Sequence, residues 1–382
     1  MLHKTLRKNM IFIFILTLII TVSGSFTQIL NQDKPEKGTW DFKLEKIWQA
    51  EKPGDEEFGR PAELRATSVG TLVMHDFMNK KSYIFNNNGE FVTSFAGQEQ
   101  NPGYVEMYIN CFIADKYIVA SSPQSLYFYS PDGKYIKTMP NNIFANFPYV
   151  FLSDDEFLGG PGSLANLIGK TVIIKSTNCS TGDAKTFCEL PANKELTKEG
   201  SGGQAPPFVI LGVTPQLSIA GDRENGKLYY GRTDEYNIHI SDLKGKEFGN
   251  FTLERDRKKF TEEDKQEFIA QLGLPEEQAK PMLALLPDKL SHFFKILVNN
   301  GLIYVIAVDE VSQKLNKLHI DIFSPEGKYL YRSLIDFGDK LFFKNPENIV
   351  FQGKYLYAIL YSSDSEKKSL EKFKISLPRR QN

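Results

Sequence analysis

The chain has little of what most catalytic and metal-binding readings require. Three of its 382 residues are cysteine (Cys111, Cys179 and Cys188) and no Cys-x-x-Cys pair occurs, which leaves thiol-redox and zinc chemistry without support. Its five histidines include no His-x-x-x-His or His-Glu-x-x-His spacing, so the helical zinc motifs are missing. No Gly-x-Ser-x-Gly elbow is present. Gly159-Gly160-Pro161-Gly162 carries a proline and leads to no Gly-Lys-Ser/Thr, so it is no phosphate loop. Charge of one sign is also lacking, with 46 Lys+Arg against 47 Asp+Glu. Nucleic acid calls for a basic footprint and an anionic membrane surface for a polybasic one, so neither is expected as a partner.

Long apolar runs are confined to the N-terminus. Lys4, Arg7 and Lys8 precede the run Met10 to Val22, and Ser23, Gly24 and Ser25 follow it. The run falls short of the roughly 20 residues of a comfortable bilayer span, and the pattern is that of a secretory signal. Residues 1–25 are therefore expected to be removed, with an uncleaved anchor as the alternative. No cysteine sits at the junction, so no lipoprotein is expected. The mature chain would be secreted or periplasmic, an oxidising setting. There Cys179 and Cys188, flanking a hairpin turn, could pair as a disulfide; three buried thiols are the alternative.

What the chain does have is aromatic residues, 13% of the total with 29 Phe and 17 Tyr, a composition that favours strands. From Gly70 to Gly103 the pattern is strand, turn, strand, Asn88-Gly89 turn, strand. The unit recurs. A turn residue followed by β-formers begins at Gly70, Asp115, Asp155, Gly226, Gly301 and Gly353. A Gly-containing hairpin follows at Phe128–Lys134, Ile240–Lys246 and Ile322–Lys328, and in degenerate form at Cys179–Asp183. Six such units of several short strands predict propeller blades, each needing neighbours to cover its faces. The expected fold is all-β: a six-bladed β-propeller of four-stranded antiparallel blades over residues 39–378, with 379–382 as a tail. The sixth unit, ending at Leu370–Leu377, lacks a fourth strand. The isolated stretch Trp40–Gln49 is expected to supply it and shut the ring, removing an exposed sheet edge. Residues 26–38 read as a polar linker. A pair of β-sandwiches is the competing architecture.

Two insertions interrupt the spacing. Pro191 to Gly212, with Gly200–Gly203 and Pro206-Pro207, reads as a loop. Within about 252–292, Thr261-Glu262-Glu263-Asp264 is a capping start, Phe268, Ile269 and Leu272 form one stripe, and Gly273 stops the helix. Pro275 and Pro281 are expected to break the next stretch, ahead of Met282, Leu283, Leu285 and Leu286. This helical hairpin between blades four and five either packs beside a blade or covers one mouth of the channel.

In the first unit, Asp76, Asn79, Gly89, Phe95, Gly97, Pro102 and Gly103 stand where an NHL-type repeat has its Asp, its turn residues, its Phe-Gly and its Pro-Gly. The chain resembles the exported six-bladed propeller proteins of bacteria that carry such repeats, although units two to six lack the Asp and the Pro-Gly. Members of that group mostly have no assigned chemistry and the fold hosts binding modules, lyases and lactonases alike, so the resemblance implies a fold rather than a reaction.

Functional residues are sought on the inner strands, which precede the six indexed starts. Arg65, Asn110, Gln216, His292 and Asn348 are the polar candidates there, with Asn345 beside the last. Few acidic residues stand among them, and a wet, hydrogen-bonded channel is the expected setting. His239 and His319 read as packed histidines, and His75 beside Asp76 points to the opposite face of its strand. The function expected is that of a monomeric exported binding or scaffold propeller. It would engage a protein, peptide or glycan at one face or in the channel, without a cofactor. The alternative is a metal-dependent hydrolase or lyase, lactonase-like or NHL-type, with calcium at the channel mouth. A structural subunit of an envelope assembly is a third reading.

Overall fold

The computed structural model describes residues 26–97, 102–114, 116–142, 147–161, 170–191, 212–273, 275–284, 286–312, 314–365 and 367–378. The expected signal segment, the glycine- and proline-rich loop at 200–207, Leu285 and the 379–382 tail lie outside them.

Six antiparallel sheets of four strands follow one another along the chain. From inner to outer strand, blade one is Pro61–Ala66, Leu72–Asp76, Lys81–Phe85 and Phe91–Phe95. Blade two is Asn110–Ile113, Ile118–Ser121, Ser125–Tyr129 and Tyr135–Pro140. Blade three is Phe147–Ser153, Glu156–Gly160, Val172–Asn178 and Ala184–Leu190. Blade four is Leu217–Asp222, Lys227–Arg232, Asn237–Asp242 and Glu247–Glu254, and blade five is Phe293–Asn299, Leu302–Ala307, Lys317–Phe323 and Tyr329–Asp336. Blade six is Ile349–Gln352, Tyr355–Ser362 and Lys368–Lys374, completed by Glu45–Ala50 from the other end of the chain. Each inner strand touches the next around the circle. The fold is a six-bladed β-propeller.

The strand period of two explains how six separate sheets make one core. In Leu302–Ala307, Leu302, Tyr304 and Ile306 pack toward blade six, while Ile303 and Val305 pack toward blade four. Successive side chains of a strand point to opposite faces, so a strand apolar at every position fills two inter-blade wedges at once. Six such wedges exist, one between each pair of neighbours. Truncating a fully buried ring such as Phe323 or Phe128 would cost about 3–5 kcal/mol.

Closure is as expected, but the N-terminal segment does more than close. Phe373 faces Lys46 in the antiparallel pair that completes blade six. The closing strand is shorter than Trp40–Gln49, because the chain turns at Lys43, whose φ is +46°. Trp40 lies beyond that turn and runs parallel to the outer strand of blade five, opposite Ser333. The expected linker is also ordered: Thr27–Gln32 runs parallel to Glu247–Glu254 of blade four through six paired positions. Gly249 allows this approach, since a Cβ there would run into the Thr27 carbonyl. The Asn31 amide donates to the carbonyls of Thr252 and Gly327, both at 2.9 Å, and its oxygen accepts from the Tyr329 amide at 2.9 Å. Residues 27–50 therefore form a strap across the outer edges of blades four, five and six. Polar composition hid this, because an added edge strand needs backbone pairing rather than apolar side chains.

Cys179 and Cys188 are free thiols. Cys179 lies in the Asn178–Asp183 turn and packs toward blade two, whereas Cys188 faces Ile174 and packs toward blade four. They occupy opposite faces of blade three, so the expected disulfide does not form there.

The helical hairpin stands between blades four and five. Helix α1, Glu262–Gln271, has Thr261 as N-cap in a full capping box with Asp264, and helix α2 is Glu276–Leu283. Pro281 lies inside α2 rather than ending it; in the last turn it forfeits few helical hydrogen bonds. Phe268, Ile269 and Met282 pack on Val213, Phe260, Leu290 and Val308. The hairpin is thus seated on the segments that enter blades four and five and on the end of blade five's second strand.

Candidate functional site at the blade four–five junction

The five candidate residues divide into two groups. Arg65, Asn110 and Asn348 come together where blades six, one and two meet. Gln216 and His292 lie across the ring, at the junction of blades four and five.

The first group is a saturated network. Arg65, on the inner strand of blade one, donates to Glu347 at 2.7 Å, Glu63 at 2.6 Å, Asn110 at 3.2 Å and the carbonyl of Cys111 at 3.1 Å. Glu63 also accepts from the Cys111 amide at 2.8 Å and the Tyr108 hydroxyl at 3.2 Å. Lys295, from the inner strand of blade five, reaches Glu347 at 3.4 Å. Asn348 donates to the Ala62 carbonyl at 2.7 Å and accepts from the amides of Lys344 and Asn345, both at 3.1 Å. Two acids and two bases from blades one, five and six thereby neutralise one another. Burial pushes the Glu63 carboxyl up to about 7, against the pull of Arg65. Burial also opposes the charge on Glu347, but Lys295 and Arg65 outweigh it and hold that carboxyl at about 2. Burial lowers the Lys295 ammonium, with Glu347 opposing. Glu63, Lys295 and Glu347 escaped the sequence reading. For Glu63 and Lys295 the signal was a charged residue interrupting an apolar inner strand, as in PAELRA and FFKILV; Glu347 lies in the turn before one.

The motif residues of blade one are structural. Asp76 is fully buried. Its carboxylate accepts from the backbone amides of Gly59 and Arg60 at 2.7 Å and of Met78 and Asn79 at 3.1 Å. It ties the loop entering blade one to the blade's own hairpin. His75 instead meets Ser82 at 3.1 Å and stacks on Tyr108, so no His–Asp pair exists. Phe95, Gly97, Pro102 and Gly103 line a groove of about 460 Å³ with Tyr104, Tyr129 and Tyr135, where Lys81 is the one charged side chain among the described residues.

His292, but not Gln216, lines a pocket of about 420 Å³ in which many charges converge. Its walls carry Arg255, Arg257, Lys258 and Arg332 against Asp33, Asp256, Asp309 and Asp321. Arg255 clamps two acids: it donates to Asp321 at 2.7 and 3.0 Å and to Asp33 of the strap at 2.7 and 2.9 Å. Buried Asp321 also accepts from Tyr236 at 2.9 Å and Tyr329 at 2.5 Å. Arg332 reaches the same Asp33 oxygen. Arg257 holds the neck of the helical hairpin through the carbonyls of Leu290 and Lys289 at 2.8 and 2.9 Å. His319 lies 3.5 Å from Asp309.

His292 lines this pocket, and its Nδ1 is buried without a hydrogen-bond partner. Burial, then the neighbouring Arg257 and Arg255, lower its imidazolium to about 4. At neutral pH the ring is uncharged, and its orphaned nitrogen costs about 1–3 kcal/mol. Gln216 sits close by: its amide donates to the Thr233 hydroxyl at 2.9 Å, and the Thr233 carbonyl accepts from the His292 amide at 2.8 Å. Among the described residues no three His, Cys, Asp or Glu side chains are grouped to hold an ion.

No protein-family model matches the chain, and no curated protein matches it in sequence. Solved structures do match its fold. A member of the DUF4221 family from Bacteroides vulgatus is 11% identical with a TM-score of 0.55, over 88% of this chain and 99% of that one. A protein assigned as exported from Bacteroides fragilis is 12% identical with a TM-score of 0.51, over 92% and 100%. Virginiamycin B lyase from Staphylococcus aureus is 11% identical with a TM-score of 0.44, over 88% and 100%. Identity this low establishes likeness of fold alone. No helix among the described residues is long and apolar enough to cross a membrane.

Proposed function

We propose that the chain is an exported, ligand-binding propeller, related to the NHL-type rings through its first blade, and that it binds a peptide segment in the pocket between blades four and five. One observation carries the reading: about 420 Å³ of open space meets four cationic and four acidic side chains there. A ligand bearing both signs of charge answers such a mosaic. Of the three ligand classes in view, a peptide or a protein loop does so most directly. No Phe, Tyr or Trp among the described residues lines this pocket to offer a flat apolar platform. The junction of blades one, two and six, with each charge answered inside the protein, supports a clamp for the ring rather than a binding site.

The test is a panel of mixed-charge peptides titrated against the wild type and Ala307→Phe, a substitution that fills the pocket. Micromolar binding to the wild type, weakened more than about tenfold in the variant at an unchanged melting temperature, is expected. Equal binding to both would remove the reading. Stoichiometric calcium accompanied by metal-dependent turnover would replace it with the hydrolase or lyase alternative.

A further inference from the structure

The two carboxylates that Arg255 clamps differ in kind. Asp321 is buried and belongs to the frame of blade five: Arg255, Tyr236 and Tyr329 all donate to it, and the guanidinium carbon of Arg255 lies 5.8 Å from the centre of the Tyr236 ring. Asp33 comes from the strap, and its side chain is 38% exposed against 2% for Asp321. Three guanidinium N–H groups meet on its Oδ1: Arg255 Nε at 2.9 Å, Arg255 Nη2 at 2.7 Å and Arg332 Nη2. Arg332 is aimed by Tyr329, whose hydroxyl accepts from its Nε at 3.1 Å. The strap backbone is tied down on either side of Asp33. Gln32 pairs with Glu254 before it, and the amides of Glu36 and Lys37 donate to the carbonyls of Tyr329 and Leu330 at 2.9 Å after it. The Asp33 side chain can therefore turn away while the strap stays paired. Asp33, Arg255, Asp321 and Arg332 all line the pocket.

Two guanidinium groups converging on one oxygen make a carboxylate site, and here the chain's own carboxylate fills it. We propose that Asp33 stands in for a ligand carboxylate: the peptide brings its C-terminus, or an Asp or Glu side chain, to Arg255 and Arg332, and Asp33 swings out to solvent. This deepens the peptide-binding reading and rests on it. The exchange is balanced in charge, one carboxylate for another. Asp33 thereby sets a threshold, since a ligand without the group has nothing to put in its place. A ligand that has it gives up only the strength of a half-exposed ion pair. Buried Asp321 does not exchange, because its loss would strand the Arg255 charge; it holds Arg255 in position throughout.

The experiment takes a peptide that binds the wild type and compares three forms: free acid, C-terminal amide, and internal Asp/Glu replaced by Asn/Gln. Removal of the recognised carboxylate should weaken binding about tenfold, and whichever form is weakened identifies its source. Asp33→Asn, which keeps the size and removes the charge, should tighten the intact peptide about fivefold and leave the weakened form no tighter. Arg332→Gln should bring the intact peptide toward the affinity of the weakened form. A direct readout follows Asp33 itself. Partial burial opposes its charge, but Arg255 and Arg332 outweigh that and hold the carboxyl below its ordinary value. Titration of the Asp33 carboxyl by ¹³C resonance should show it return toward the ordinary value with the intact peptide bound, and with that form only. An Asp33 that stays low in every complex, with no gain in Asp33→Asn, would overturn the exchange and leave a fixed bridge. So would equal affinity of all three forms with Ala307→Phe still blocking. Peptides indifferent to Ala307→Phe would instead remove the underlying reading.

Discussion

Two clusters of charge stand at opposite sides of this ring and differ in one respect. Around Arg65 every strong charge is answered by the protein itself, and the result links blades one, two, five and six. Around His292 the walls are paired, yet the ring's own Nδ1 is left open. A satisfied network holds a structure together; an unsatisfied one keeps stability in reserve for something that arrives later. Both clusters are made of charged residues of the same kinds, so residue type does not separate clamp from site. The hydrogen-bond balance does.

The sharpest way to break the comparison is to remove one cation from each cluster. Arg65→Met strands Glu63 and Glu347 and should cost about 3–5 kcal/mol. Lys258→Met at the half-exposed rim of the pocket should cost about 1 kcal/mol or less. Urea denaturation measures both, and equal losses would erase the distinction.

Acid–base behaviour gives a second, smaller contrast. Glu63, raised to about 7, binds a proton in the folded state that the unfolded chain has released. Its contribution to stability therefore falls as pH rises from 4.5 to 7. His292, lowered to about 4, is uncharged when folded while the unfolded chain is protonated. Its contribution is lost as pH falls from 6.5 toward 4. The opposed slopes partly cancel in the wild type. Glu63→Gln should make stability climb with pH across this window, relative to the wild type, by about 2 kcal/mol. His292→Phe should tilt it the other way. Urea midpoints at pH 4.5, 5.5 and 6.5 give the slopes, and two parallel profiles would contradict the assignment.

The strap supplies the third test, because it forms one wall of the pocket and none of the clamp. Gly249→Ala should push Thr27–Gln32 off blade four, costing about 1–2 kcal/mol. Amide exchange in the strap should accelerate, while exchange around Arg65 stays slow. The smallest effect concerns the cysteines. Three titratable thiols in denaturant without reductant, and an unchanged melting temperature on adding reductant, are expected from their placement. Two missing thiols would return the disulfide.

How far the fold was legible comes down to the same physics. Six turn-plus-strand units could be read because each blade repeats its period-two pattern and its Gly turns, and the sixth announced its missing strand by being short. The strap along Thr27–Gln32 could not be read, since parallel edge pairing depends on backbone groups that every residue carries. The site was half legible. His292 stood out as a polar residue ahead of an inner strand, whereas Arg255, Asp321 and Arg332 lie on or after third and fourth strands, where nothing in their spacing marks them. Nor could the chain reveal that Arg65, one of the five candidates, spends its hydrogen bonds on its own neighbours.

By itself, the sequence determined the number of blades, their order, the helical pair after Thr261 and the fact that the two chain ends must meet. Those are local matters of periodicity, capping and turn chemistry. Only the tertiary structure decided which polar residues share a wall, which thiols face apart and which nitrogens go without a partner. Closing a ring sets residues hundreds of positions apart against one another, as with Arg65 and Glu347, and no local pattern encodes that distance.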